Sequence, residues 1–133
     1  MPVRSLHSSV LVWPDAETVR TAVCNWARQQ AEAHPELLAV GYFGSLATGR
    51  YGTGSDVDLL LIVNEAPSDP AERHRPWPVE TLPVPVDLIV LTAAEWNALN
   101  PETRFARMLL LEALWVWHRP HWRPPSENAR TPA

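Results

Sequence analysis

Two apolar runs, LLAVGYF at 37–43 and VDLLLIV at 57–63, stand either side of GSLATGRYGTGSD, and all five glycines of the chain fall between Gly41 and Gly54. The runs read as strands. The second is apolar almost throughout, which suits a strand buried on both faces. Glycine at Gly44 lets the backbone turn sharply and lets a ligand come close, and Gly49, Gly52 and Gly54 let the chain reverse. A third run, VPVDLIVL from Val84 to Leu91, supplies another strand with an acid inside it.

The flanking segments are helical. Asp15 follows Pro14 and is placed to cap a helix reaching Ala33. Val19, Val23 and Trp26 recur on one face of it, and Pro35 ends it. Ser9 to Trp13 reads as a short strand ahead of it. Thr92 and Glu95 have the spacing of a capping box for the helix TAAEWNAL. Asn100 and Pro101 are expected to open a last helix running to about Trp117. Six prolines between Pro67 and Pro85 mark a linker with room for a turn or two near Ala71 to His74. The expectation is an α/β or α+β domain, a small mixed sheet with helices packed mainly on one face, over residues 1–118. A proline-rich, disordered tail is expected over 119–133.

Bulk properties remove several alternatives. The length, 133 residues, fits one domain. A net charge of −4 argues against non-specific nucleic-acid binding. The lone Cys24 makes no intrachain disulfide and suits a reducing cytoplasm. The richest apolar run, Met108 to Trp117, is interrupted by Glu112 and falls short of a membrane span. The N-terminus shows no secretory h-region.

The chemistry gathers around the glycines. Asp56 and Asp58 are two apart at a strand's start, so their side chains share a face. Two carboxylates about 4 Å apart repel by roughly 4 kcal/mol at an effective dielectric near 20. Such a pair wants a proton or a cation between its members. Backbone amides at the Gly44-Ser45 turn would bind an anion, phosphate above all. Oxygen ligands beside a phosphate point to Mg²⁺. Asp87, flanked by Val and Leu, is costly in a buried strand unless it is paired or metal-bound. It joins the other two acids if its strand lies beside theirs. Three acids at a phosphate cradle fit two-metal phosphoryl or nucleotidyl transfer.

Gly44-Ser45, ten residues, then Asp56-x-Asp58, with a further acid in VDLIVL, resembles the signature of the polymerase-β-like nucleotidyltransferase superfamily. Within it the chain is most similar to the minimal nucleotidyltransferases of antitoxin type (MNT), over about residues 37–117. The resemblance implies the nucleotidyltransferase fold and an ATP or other NTP substrate. It implies that Gly44 and Ser45 hold the triphosphate, that Gly49 belongs to the same nucleotide-binding turn, and that Ser55 braces the loop. It also implies that Asp56 and Asp58 bind two Mg²⁺ ions, and that Asp87 binds one of them and acts as base. The chain lacks the helical acceptor domain of larger relatives, so the acceptor hydroxyl would arrive on a partner protein. In MNT proteins that partner is a HEPN-type toxin, modified with AMP. The competing reading is a non-catalytic module that binds nucleotide or occludes a partner.

The remaining candidates are weaker. Family members often end the last helix in Arg-Glu-Gly, where this chain has Leu111-Glu112-Ala113. Arg73-His74-Arg75 reads first as a solvated loop and second as a contact to phosphates or a partner, and Arg50 as either a phosphate contact or a surface residue. Arg28 and His34 match a HEPN-like spacing by chance. His118 and His121 are poor metal candidates. A Trp115/Trp117 ridge on the last helix, if exposed, would favour a homo-oligomer or partner surface.

Overall fold

A computed structural model describes residues 13–124. In chain order the elements are α1 (Ala16–Ala33), β1 (Leu37–Phe43), α2 (Ser45–Thr48), β2 (Val57–Val63), α3 (Pro70–His74), a 3₁₀ turn (Val79–Thr81), β3 (Val86–Thr92), α4 (Ala93–Asn97), α5 (Arg104–Glu112) and β4 (Leu114–His118). The strands form one mixed sheet ordered β3-β2-β1-β4. β1 is antiparallel to β2 and β4, and β2 is parallel to β3. The strand expected at Ser9 to Trp13 lies almost wholly outside the described residues.

The central strands β1 and β2 are buried almost throughout, as two-faced burial requires. On one face Val19, Val23, Trp26 and Ala27 of α1 pack on Val40, Leu59, Leu61 and Val63. On the other, Trp96 of α4 and Leu109 of α5 close over Leu38, Leu60 and Ile62. The longest helix therefore covers one face, and two short helices complete the other.

A parallel β2–β3 pair needs a crossover, because the chain must return to the end at which β2 began. The proline-rich linker makes that return across the α1 face. It is no plain loop: Trp77 and Val84 are buried in the same cluster as α1. Arg73 fastens its helical turn. The guanidinium donates to both oxygens of Glu95 at 2.7 and 2.8 Å and to the Val90 carbonyl at 2.9 Å, and Nε donates to the Pro67 carbonyl. Arg73 is thus a structural clamp on the outer edge of β3, where the sequence suggested a solvated residue.

The last helix is corrected. Asn100 to Thr103 form a turn, the Thr103 hydroxyl accepts from the Ala106 amide, and the helix ends at Glu112. Residues 114–118 are strand β4, not helix. Leu, Trp and Val suit a half-buried strand, and the free edge of β1 offers them a ladder of backbone partners. Trp117 pairs with Val40 and Trp115 with Gly41, so Val116 is an extra, bulged residue. The bulge sends the two indoles to different clusters. Trp115 meets Trp96 and Trp122 edge-to-face, and Trp117 lies 5.0 Å beneath the Arg119 guanidinium. They form no shared ridge. Gly41 makes room for this: a Cβ there would come 2.9 Å from the Leu114 carbonyl oxygen and from the Trp115 ring.

The chain also stays packed beyond the boundary placed at residue 119. Arg119 donates to the carbonyls of Leu37, Ala31 and His34 at 2.9, 3.1 and 3.2 Å. It supplies the positive charge that the last turn of α1 lacks. The remainder of the expected tail, from residue 125, lies outside the described residues. No described helix is long and apolar enough to cross a membrane.

Candidate active site

The site lies where β1 ends and where β2 and β3 begin. The hairpin sets Phe43 opposite Asp58, and the parallel register sets Asp58 opposite Asp87. The Val57 amide donates to the Pro85 carbonyl at 3.0 Å, which fixes the two strand starts together. Even-numbered positions of β2, such as Leu60 and Ile62, and odd-numbered positions of β3, such as Ile89 and Leu91, face the α4/α5 cluster. By the same alternation Asp58 and Asp87 share that face. Asp56 has the parity of Asp58, one step ahead of the strand.

The carboxyls feel one another. Burial raises the Asp58 carboxyl above the ordinary aspartate range; repulsion from Asp87 and then Asp56 adds to the rise, and the close approach of the Asp87 side chain adds least. Asp58 is half-buried, whereas Asp56 and Asp87 are exposed. The expectation that Asp87 is buried is therefore corrected. β3 is an edge strand, with Val90 its only fully buried residue, so no burial penalty demands a partner for Asp87. Its place beside Asp58 has to speak for it.

Gly44 touches the same group. Its φ is +73°, and a Cβ on it would run into Asp58 Oδ2. Only glycine meets both demands, the left-handed backbone and the carboxylate lying against it. The turn that follows is a single helical one: Ala47 and Thr48 donate to the Gly44 carbonyl, each at 3.0 Å. The amides ahead of them are those that a helix start leaves unbonded. Gly49 closes the turn in the left-handed region, with its amide on the Ser45 carbonyl. Ser55 Oγ accepts from the Gly52 amide at 3.0 Å, and the Ser55 amide donates to the Gly52 carbonyl at 2.9 Å. Ser55 thus closes a small loop immediately before Asp56. Arg50 is exposed.

Tyr51 was not singled out from the sequence. Its hydroxyl donates to the Pro14 carbonyl at 3.1 Å and accepts from the Trp13 indole at 3.0 Å, anchoring the glycine loop to the start of α1. Its position as the one aromatic residue among the loop's glycines was the available signal. His34 bonds Glu36 at 3.2 Å and packs at a tilt against Trp77.

A groove of about 440 Å³ runs along the outer edge of β3, but it is lined by Arg73, His74 and Leu88 to Leu91 and not by the three acids. Among the described residues, no group of three or more His, Cys, Asp or Glu side chains stands arranged to hold a metal ion. The donor chemistry nonetheless fits a hard cation. Asp58 and Asp87 offer carboxylate oxygens at one point, and their repulsion is what a divalent ion would offset.

A family model for the nucleotidyltransferase domain matches residues 24–114. The chain belongs to the nucleotidyltransferase domain family. That match takes in β1, the glycine turn, all three acids and α5. Solved structures agree on the fold. A candidate nucleotidyltransferase from Sulfolobus solfataricus superposes with a TM-score of 0.59 at 22% identity, covering 78% of this chain and 84% of that one. A toxin–antitoxin complex crystallised with AMP-PNP gives 0.54 at 16% identity, covering 76% and 74%. A variant of the toxin–antitoxin pair MntA-HpeT gives 0.53, with the same identity and coverage. No curated protein matches the chain.

Proposed function

We propose that this nucleotidyltransferase moves AMP from ATP onto a hydroxyl of a partner protein in the cytoplasm, and that the partner is a HEPN-type toxin for which this chain is the antitoxin. The observation that carries the transfer chemistry is the placement of Asp58, opposite Asp87 in register and against the backbone of Gly44. One place can thereby serve both a triphosphate and the cations that accompany it. The likeness to toxin–antitoxin structures supports the choice of partner.

Asp56, Asp58 and Asp87 are the residues to hold two Mg²⁺ ions. Bound there, the ions offset the charge of the carboxylates and the triphosphate. Gly44 and Ser45 orient the phosphates through backbone amides and the Ser45 hydroxyl. Gly49 and Ser55 keep that turn and the approach to Asp56 in shape. Asp87, exposed at the rim, takes the proton of the incoming hydroxyl. The acceptor oxygen bonds to the α-phosphorus, the bond from that phosphorus to the bridging oxygen breaks, and pyrophosphate leaves. Position and electrostatics supply most of the rate.

The test is co-expression with the protein encoded beside this chain, followed by intact-mass measurement of that protein. A gain of one AMP that disappears with Asp58→Asn supports the reading. A tight complex of unchanged mass, with ATP and Mg²⁺ bound equally by wild type and Asp58→Asn, would replace it with a partner-occluding binder.

A further inference from the structure

Helix α5 is buried along Ala106 and Leu109, while its outer face carries large apolar side chains beside the exposed Arg104 and Arg107. Phe105 is 46% exposed and Leu111 68%, and these are the exposed large hydrophobic residues among those described. With half-buried Met108 they form a row at spacing i, i+3, i+6. A second row crosses the first at Met108: Arg104 four residues before it and Glu112 four after. Arg104 and Glu112 form no ion pair among the described residues. Uncovered apolar rows of this kind mark interaction surfaces.

The pattern has a symmetry of its own. On a helix of 3.6 residues per turn and 1.5 Å rise, Arg104 and Glu112 fall at nearly mirrored positions on either side of the Phe105–Met108–Leu111 row. A two-fold axis lying along that row would set each apolar residue against its own copy. The same rotation would bring Arg104 of one chain onto Glu112 of the other, twice. The helices would then cross near perpendicular, a less common but allowed packing of i±3 ridges. Such self-complementarity is what an isologous dimer requires.

We infer that the outer face of α5 is a docking surface for a second copy of this chain. The face is one short helix, so the dimer is a weak one, forming at high protein concentration. This inference does not depend on the proposed reaction.

Sedimentation equilibrium of the full chain over a range of concentrations tests it. The expected mass rises from 14.9 kDa towards twice that value. Leu111→Asp should hold the protein at the monomer mass throughout. Arg104→Glu should weaken association at least tenfold, as should Glu112→Arg. The double exchange Arg104→Glu with Glu112→Arg should restore it, a rescue that a merely structural effect would not give. Circular dichroism of each variant confirms folding. A monomer at every concentration would overturn the inference and leave the row for an unlike protein. So would a dimer indifferent to Leu111→Asp, or a double exchange that fails to restore association.

Discussion

The two ends of the β2–β3 pair are built in opposite ways. At the strand starts, Asp58 is crowded by Asp87 and Asp56, and its carboxyl is pushed up. Towards the far end, Arg73 grips both oxygens of Glu95 while Thr92 and Glu95 complete their capping box, and the Glu95 carboxyl is held down to about 2. Among the described residues, Asp58 has no ion-pair partner, whereas Glu95 has Arg73. A fold that can satisfy an acid this well elsewhere leaves Asp58 crowded by two other acids, a repulsion that divalent cations would offset. A carboxyl crowded by like charges is what a cation-binding site presents, whereas the clamp holds an acid paired with its own arginine in the same sheet.

Four measurements test that contrast. The largest effect is expected from Asp58→Asn, which should cut transfer by about 10³-fold in a pyrophosphate-release assay. It should also raise thermal stability at neutral pH. A carboxyl raised in the folded state stabilises below its unfolded value, near 3.8, and that contribution is lost as pH rises through the folded value. The gain from Asn should therefore shrink in acid. A variant that is both inactive and less stable at pH 7 would mean that Asp58 is structural.

Next comes Gly44→Ala. The left-handed backbone costs about 1–2 kcal/mol for alanine, and the new methyl displaces the Asp58 carboxylate. Urea midpoints and activity should both fall, activity by about 10²-fold. Loss of stability without loss of activity would separate the turn from the acids.

Arg119→Ala tests a clamp away from the acids. Three carbonyls at the end of α1 and in β1 lose a charged donor, at a cost of about 2 kcal/mol in urea unfolding. ATP binding should be unchanged. The smallest effect belongs to Glu95, which is part-exposed, so its pair with Arg73 contributes about 1 kcal/mol after screening. Its pKa is depressed, so this stability is present above about 4.5 and is lost as pH falls towards 2. Glu95→Gln should flatten that acid limb and leave transfer intact. An acid limb unaltered by the substitution would place the titration elsewhere.

Much of the candidate site is legible in the sequence. Glycine confined to one stretch, a Gly-Ser pair and two alternate aspartates are local patterns. Local patterns report on backbone angles and shared faces directly, and they led to β1, β2, α1 and the α4 capping box. The last helix was misread because Leu111 to Trp117 is apolar enough for either period. Pairing with the open edge of β1, more than seventy residues away in the chain, outweighed helix continuation after Glu112. The linker hid its roles for a similar reason. Nothing near Arg73 or Trp77 announces that one will meet Glu95 and the other the end of α1.

The chain's own order of residues determined that a glycine turn would be followed by two acids on one strand face, because glycine and β-alternation act over neighbouring positions. Tertiary structure alone decided that Asp87 stands level with Asp58 and that Asp58 rests against Gly44. Those contacts depend on the crossover that makes β2 and β3 parallel and on the hairpin register, and both are set by which faces the whole sheet can bury.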